Sequence, residues 1–491
     1  MKQAKSVPIP AIAWPPPPGR PRHRALYQNL AEAILNGALA PGTQLPATRT
    51  WAQALRVSRG TVLAALEQLT AEGYVRALQG SGTFVADIPQ DLGRSGTRAM
   101  PAGSAAPLSS RGRLLARTDL GEVEQPARPF EVGIPALDRF AATRLASLTT
   151  GAWSSMPASE LQYPDPAGYP ALRLELVRYL TRARAVRADA DQVIVVSGSQ
   201  QALYLAAQLL LDPGDEAWME DPGYVGALSA LQAAGADIVN VPVDGEGLSV
   251  REGTALAPDA RLVYVTPSHQ YPTGATLSLA RRLELLAWAR QRNGWILEDD
   301  YDSEFRYIGA PLPALQGIDE AGTVLYVGTF SKILAPGLRL GYLVVPKALA
   351  PAFRAAKSLL DRGSAVPLQA GLARLLAGGG MERHLLRMRR LYQHRRDVLW
   401  SELREAFGDR VNLGPPSAGG MHLVVWLPPG MDDQAAVRRA YEHGVWVRAV
   451  SANARRPLPR GGLIVGYAGF SDAELREATA KLEEALRTLW P

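Results

Sequence analysis

The chain contains no cysteine, which excludes disulfide bonds, cysteine-ligated zinc sites and thiolate nucleophiles. It also lacks any apolar run approaching the roughly 18 residues that span a bilayer, so no membrane insertion is expected. The N-terminus is basic, but Pro8, Pro10 and the run from Pro15 to Pro18 leave no apolar core for a secretory signal. We therefore interpret residues 1–21 as a basic, Pro-rich arm of a cytoplasmic protein.

The distribution of charge says more than its total. Residues 1–118 hold 14 Lys and Arg against 5 Asp and Glu, a net charge of +9, whereas the whole chain of 491 residues carries only +6. Positive charge confined to one end is typical of a module that meets a polyanion such as DNA, although a solubilising tail gives the same pattern. The length predicts two to four domains.

Residues 22–87 are predicted to form three helices followed by a hairpin. Leu26, Leu30 and Ile34 recur at helical spacing, and the first helix should end near Gly37. Thr48 is the expected N-cap of the second helix and Ser58 that of the third. Two β segments, YVRAL and TFVAD, then follow, joined by Gln79, Gly80, Ser81 and Gly82 as a wing-like hairpin.

This unit has the mechanics of a DNA reader, because a recognition helix enters the major groove by its N-terminus and a glycine-rich wing approaches the backbone closely. A small helical domain with ordinary surface arginines is the alternative interpretation. Six residues are predicted to meet phosphates or base edges: Arg49, Ser58, Arg59, Thr61, Gly80 and Gly82. The segment that begins LPATRTWAQALRVSRGTV resembles the GntR family of winged helix-turn-helix regulators over about 65 residues, which implies binding to double-stranded DNA.

Residues 88–129 are rich in Gly, Ser, Pro, Ala and Arg and are interpreted as an interdomain linker with short helical pieces. From residue 130 to 491, strand-like runs such as QVIVVSG, RLVYVTP and WILEDDY alternate with helix-length segments. This alternation predicts an α/β domain with a mainly parallel sheet covered on both faces.

The segment GTFSKILAPGLRLG, which begins at Gly328, carries the central chemical hypothesis. A lysine just after an internal strand can lose its proton and form an imine with an aldehyde cofactor, so Lys332 is the candidate Schiff-base residue. Arg339 offers the two-pronged donor set that matches a phosphate, and Thr329 adds a hydroxyl. Taken alone, Lys332 would more often be a surface lysine.

Other segments supply what such a cofactor needs. Asp299, at the carboxyl end of a strand, could keep a pyridinium nitrogen protonated, and Tyr301 could donate to a phenolate oxygen. A solvated acidic turn or a magnesium site is the alternative for this acidic run. A strand that runs directly into a helix offers a phosphate cradle, and two later loops offer an aromatic ring and polar groups to the cofactor ring. These candidates are Gly198, Ser199, Gln200, Tyr224, His269 and Gln270, and each alone is compatible with an ordinary turn.

Together these segments resemble fold-type I pyridoxal-phosphate enzymes of the aspartate aminotransferase kind. The resemblance implies pyridoxal 5'-phosphate bound to Lys332, Asp299 at the ring nitrogen and Tyr301 at the ring oxygen. It also implies a homodimer, in which Tyr163 of LQYPDPAGYPALR reaches the phosphate of the neighbouring subunit. No metal site is predicted.

A GntR-like head followed by this body resembles the MocR subfamily, so the expected function is a cofactor-dependent transcription regulator whose dimer reads paired half-sites. Its effector would be pyridoxal phosphate itself or an amino acid or amine. A true aminotransferase with an accessory head, and a regulator with an empty body, are the alternatives. One departure bears on the effector: the last core strand, LIVGYAG, lacks the arginine that holds a substrate carboxylate in related enzymes, although Arg448 and Arg460 lie nearby.

Overall fold

The computed structural model describes residue 14 and residues 21–78, 80–87, 108–116, 127–140, 142–309 and 312–490. Most of the predicted arm, most of the predicted linker and Gln79 of the predicted wing lie outside these residues. The chain divides into two compact units, Met1–Pro107 and Leu108–Pro491. Among the described helices, none has both the length and the apolar character needed to cross a membrane.

The first unit, called the head below, contains the predicted three helices and hairpin. These are α1 (Arg22–Leu35), α2 (Thr48–Leu55), α3 (Arg59–Ala71), β1 (Val75–Leu78) and β2 (Gly82–Val85), the strands being antiparallel. Its core includes Leu30, Trp51, Val62, Leu69 and Val85, each at most 2% exposed. Apolar residues at helical spacing thus close one small core.

One of the two predicted helix caps in the head is confirmed and the other is wrong. Ser58 Oγ accepts a hydrogen bond from the Thr61 amide at 3.1 Å and so caps α3. The N-cap of α2 is Ala47, which makes no side-chain cap hydrogen bond, and Thr48 is already the first helical residue. The Thr48 hydroxyl instead accepts a hydrogen bond from Arg59 Nε at 3.3 Å.

The described part of the second unit, called the body, contains thirteen α-helices. They are α4 (Ser110–Ala116), α5 (Ala142–Ser154), α6 (Pro170–Arg184), α7 (Ser199–Leu210), α8 (Val225–Ala234), α9 (Val250–Leu256), α10 (Leu279–Arg292), α11 (Leu315–Ile318), α12 (Ala350–Asp361), α13 (Val366–Ala377), α14 (Gly380–Phe407), α15 (Asp433–Glu442) and α16 (Asp472–Leu486). The first of these, α4, lies within the predicted linker.

The strands of the body form two sheets. The large sheet contains β3 (Val193–Val196), β4 (Glu216–Asp221), β5 (Asp237–Asp244), β6 (Gly247–Leu248), β7 (Leu262–Val265), β8 (Trp295–Asp300), β9 (Val324–Thr329) and β10 (Gly341–Val344). The small sheet contains β11 (His422–Trp426), β12 (Arg448–Ala449) and β13 (Gly462–Gly466), with β13 in the middle.

The predicted mainly parallel sheet is confirmed. Its strand order is β3-β10-β9-β8-β7-β4-β5-β6, and the neighbours from β9 to β5 are all parallel. Only β10 and the short β6 run antiparallel to their partners. The central strands are buried throughout, as expected for a sheet with helices on both faces. Because parallel strands share one carboxyl edge, the ends of β4, β7, β8 and β9 meet there, and most candidate cofactor residues lie at or just after these ends. Gly198, Ser199 and Gln200 follow β3 instead.

Candidate functional site

Lys332 lies in the turn that follows β9 and is half-buried. Its Nζ atom donates a hydrogen bond to the Gly133 carbonyl at 3.0 Å, across 199 residues of sequence. Burial lowers the pKa of this lysine below its ordinary value, with the carboxylate of Asp302 acting in the opposite direction. A lysine with a lowered pKa is neutral more often than an ordinary lysine, and a neutral amine is the form that attacks an aldehyde.

Asp299 is 4% exposed near the end of β8 and has one oxygen occupied and one free. Its Oδ2 accepts a hydrogen bond from the Tyr264 hydroxyl at 2.9 Å, whereas the buried Oδ1 has no hydrogen-bond partner. Burial raises the pKa of Asp299 to about 7, against the lowering effect of the Tyr264 hydrogen bond. A buried carboxylate oxygen without a donor fits the N–H group of a cofactor ring. Lys332 acts electrostatically on the pKa of Asp299, so the carboxylate lies near the candidate Schiff-base residue.

Tyr301 is fixed by a small polar network. Its hydroxyl lies 3.1 Å from His269 Nδ1, and the same nitrogen lies 2.9 Å from Asp302 Oδ2. Burial raises the pKa of the Tyr301 phenol well above its usual value, so the side chain stays a protonated donor. The His269 ring therefore helps to hold the Tyr301 hydroxyl in place. Ligand atoms of His269, Asp302 and His422 also lie within 4.8 Å of one another, a spacing that a metal ion could bridge.

The predicted phosphate cradle is assembled from three separate segments. Gly198, with a φ of 95°, is the N-cap of α7 and provides no side-chain cap, so Ser199 begins a helix with an open N-terminus. A Cβ at Gly198 would come within 3.1 Å of the Arg339 guanidinium, which donates to the Ser197 carbonyl at 2.9 Å. Thr329, the last residue of β9, accepts a hydrogen bond from the Ser331 amide at 3.1 Å. This arrangement fits an oxyanion.

The remaining predicted contacts divide into two kinds. Tyr224 is the N-cap residue of α8, and its ring meets the Tyr271 ring edge-on, with the ring centroids 6.0 Å apart. Gln200 Nε2 donates a hydrogen bond to the Gly226 carbonyl, in the first turn of the same helix, at 2.8 Å. Gln270 is used within the protein instead, because its Nε2 donates to the Pro222 carbonyl at 2.9 Å and its Oε1 accepts from the Thr273 hydroxyl at 2.7 Å. The amide of Gln270 thus shapes the loop and has no atom left for a cofactor ring.

Tyr163 stands apart from these residues, with 83% of its surface exposed. Its ring lies 5.4 Å from the guanidinium carbon of Arg362. A contact from Tyr163 to the phosphate of a neighbouring subunit therefore remains a prediction.

The structure adds site residues that no sequence motif indicated. Tyr264, in β7, donates a hydrogen bond to Asp299. In the sequence, Tyr264 is indistinguishable from an ordinary buried aromatic residue of a strand. Gly133 has a φ of 80°, and a Cβ there would lie 2.5 Å from Lys332 Nζ. Tyr271 directly follows the predicted residues His269 and Gln270 and packs against Tyr224. An aromatic residue next to two predicted residues was the one available signal for it.

Arg448 is brought to this site, whereas no described contact connects Arg460 with it. The Arg448 side chain hydrogen-bonds to Tyr271 and lowers the pKa of that phenol, although burial raises it more strongly. Burial is the largest cause of the lowered pKa of Lys332, and the positive charge of Arg448 lowers that pKa further. Of the two arginines considered from the sequence, Arg448 is the one placed to meet a negative group beside Lys332.

In the head, the residues of α2 and α3 that are predicted to contact DNA are accessible to solvent. Arg49, Ser58 and Arg59 are exposed, and Thr61 is half-buried. The hydrogen bond from Arg59 Nε to Thr48 joins the N-terminus of α3 to that of α2, where Arg49 follows. This link holds two arginines near the end of the recognition helix.

The wing is shaped by its glycines. Gly80 and Gly82 have φ values of 77° and 110°, which non-glycine residues rarely adopt. A Cβ at Gly82 would come 2.9 Å from Gln44 Nε2, which donates to the Ser81 carbonyl at 2.8 Å. Both glycines are exposed and present no side chain of their own.

Comparison with known families agrees with this division. Residues 22–85 match the model described as "Bacterial regulatory proteins, gntR family", and residues 132–482 match "Aminotransferase class I and II". The body resembles the kynurenine aminotransferase of Pyrococcus horikoshii, with a TM-score of 0.68 and 28% identity over 77% of this chain and 93% of that one.

Full-length relatives have the same order of domains. The chain is 39% identical to the "Probable rhizopine catabolism regulatory protein MocR" of Rhizobium meliloti, over 96% of this chain and 94% of that protein. It is 31% identical to the "HTH-type pyridoxine biosynthesis transcriptional regulator PdxR" of Corynebacterium glutamicum, over 94% of this chain and 95% of that protein. The chain therefore belongs to the MocR-type GntR regulators, in which a winged helix-turn-helix head precedes a class I and II aminotransferase body.

Proposed function

We propose that this chain is a transcription regulator that binds operator DNA through its head and pyridoxal 5'-phosphate through Lys332 in its body. The observation that carries the proposal is the unpaired, buried Oδ1 of Asp299 beside the half-buried Lys332, in a chain whose recognition helix exposes Arg59. A regulator of this kind acts on the chromosome in the cytoplasm.

The residues of the body have separate tasks. Lys332 would hold the aldehyde carbon, Asp299 would accept the ring N–H and Tyr301 would donate to the ring oxygen. Ser199, at the start of α7, and Arg339 would hold the phosphate. When bound, the cofactor supplies an electrophilic carbon that amines can attack, which turns the site into a sensor of the cofactor or of an amine.

The charges at the site favour this arrangement. Burial lowers the pKa of Lys332 and so favours its neutral form, and Asp302 orients His269 towards Tyr301 so that the phenol keeps a fixed direction. Arg448 adds a positive group beside Tyr271. We therefore propose that an effector amine carries a carboxylate that pairs with Arg448.

Under this proposal two chains form a homodimer, and a ligand bound in the bodies changes how the two heads bind DNA. Two heads require paired half-sites, because each recognition helix must meet its major groove at the right phase. An effector that prefers one arrangement of the dimer changes DNA affinity, and couplings of roughly 1 to 3 kcal/mol correspond to about 5- to 150-fold. By reciprocity, operator DNA then changes effector affinity by the same factor.

The test is operator binding, measured with DNA from upstream of the protein's own gene. The wild type is titrated with and without pyridoxal phosphate and a panel of amino acids, beside Lys332→Ala and the double variant Arg49→Ala/Arg59→Ala. We expect the double variant to lose specific binding and keep the cofactor absorbance, and Lys332→Ala to lose the covalent absorbance band and blunt the response to ligand.

Aminotransferase activity is the competing function and is measured in parallel with amino-acid and keto-acid pairs. Identical DNA affinity in the cofactor-free, loaded and Lys332→Ala forms, together with many turnovers per minute, would establish the enzyme instead. A wild type that stays colourless with the cofactor would refute the role of Lys332.

A further inference from the structure

A pocket of about 370 Å³ lies at the N-terminus of α14. We call it the α14 pocket. None of the residues predicted to contact the cofactor lines it, yet Leu334, two residues after Lys332, forms part of its wall. Phe140 and Leu145 contribute further apolar surface.

Positive charge surrounds the α14 pocket. Arg144, Arg383 and Arg387 line it, and all three side chains are exposed. The 28-residue helix α14 begins at Gly380, also in the wall, and its N-cap Gly379 provides no side-chain cap. The amide groups and the dipole at the start of so long a helix favour an anion.

The acidic residue in the first turn of α14 does not line this pocket. Glu382 pairs with Arg182 at 2.9 Å and is absent from the lining. The three arginines therefore face the pocket without a lining carboxylate.

His384 gives an independent sign of a ligand. It lines the α14 pocket, is only 5% exposed, and its Nδ1 has no hydrogen-bond partner. Its Nε2 lies 2.7 Å from the Ile333 carbonyl and must donate there, because a carbonyl only accepts. Burial lowers the pKa of His384 and favours the neutral ring, so Nδ1 is an acceptor to which no group in the described residues donates a hydrogen bond.

Size and chemistry together define the ligand class. A volume of about 370 Å³ falls in the range of small-molecule sites and leaves room beyond one phosphate group for an apolar body. We propose that the α14 pocket binds a small organic phosphate monoester. Its phosphate pairs with Arg144, Arg387 and the start of α14 and offers a P–OH to His384, and its apolar part packs on Phe140 and Leu334.

The experiment is calorimetric titration of the full-length, cofactor-loaded protein with phenyl phosphate, so that the candidate phosphate site at Arg339 is already filled. A parallel titration of Arg339→Ala without cofactor removes that site by mutation, which makes the result independent of the proposed cofactor. We expect saturable binding in both, with inorganic phosphate and phenol each binding more weakly than phenyl phosphate.

The matched variants are Arg144→Ala/Arg387→Ala and Arg390→Ala. Arg390 is an exposed arginine on the same helix outside the pocket. We expect the double variant to weaken binding of phenyl phosphate at least about tenfold, as lost charge-assisted hydrogen bonds imply, and Arg390→Ala to leave it unchanged. Absence of saturable binding, or equal affinities in the double variant and the wild type, overturns the proposal.

Discussion

The substitution Asp299→Asn tests whether this carboxylate destabilises the cofactor-free protein. Burial raises the pKa of Asp299 from 3.8 to about 7. Because the folded-state pKa is raised, the stabilising contribution is fully present below pH 3.8 and is lost as pH rises through 7. The gap between the two values corresponds to about 4 kcal/mol of stability that the cofactor-free protein lacks at alkaline pH.

The measurable part lies between pH 6 and pH 8. Over that range the folded carboxyl group goes from about one-tenth to about nine-tenths ionised, while the unfolded one is ionised throughout. The free energy of unfolding should therefore fall by about 1 kcal/mol from this group alone. Asn carries no charge, so the variant lacks this fall. Glu220, whose pKa burial also raises to about 7, adds its own fall in both proteins, and that fall is smaller in Asp299→Asn because the Asp299 charge contributes to the raised pKa of Glu220.

The assay is urea unfolding of the cofactor-free protein at pH 6 and pH 8, followed by tryptophan fluorescence. Asp259→Asn serves as the control, because that carboxylate is 78% exposed and should leave the pH dependence unchanged. Loading the wild type with pyridoxal phosphate should flatten its pH dependence, since the ring N–H gives Oδ1 a donor. Equal falls in the wild type and Asp299→Asn would refute the reasoning from burial.

Three further predictions concern single contacts. Gly133→Ala should reduce cofactor loading at least about tenfold, as measured by absorbance, because its Cβ would lie 2.5 Å from Lys332 Nζ at a strained φ of 80°; loading equal to the wild type would contradict this. Ser58→Ala should lower the unfolding free energy of the head by about 1 kcal/mol through loss of the α3 cap, and an unchanged urea midpoint would argue against it. Arg111→Ala should speed amide exchange in α4 about tenfold, because Arg111 Nη2 donates to the Ala233 carbonyl at 3.1 Å; unchanged exchange by mass spectrometry would show that this anchor is weak.

Much of the architecture was predictable because it depends on local sequence. Apolar spacing located the helices of the head, and continuous apolar runs located the strands of a sheet buried on both faces. The Ser58 cap follows from a hydroxyl three residues before a free amide. The cap assigned to Thr48 was wrong because several neighbouring residues fit such a pattern and tertiary contact decides between them. Here the hydroxyl pairs with Arg59.

The sequence by itself therefore determined the order of the two units, the fold class of each and the residue types available for an imine, a ring nitrogen and a phosphate. Tertiary structure alone decided their partners. Lys332 meets Gly133 across 199 positions, Asp299 meets Tyr264 across 35, and Arg448 reaches Tyr271 from the small sheet. The physical reason is that parallel strands distant in sequence share one carboxyl edge, so side chains meet there according to strand order and burial, which local spacing does not encode.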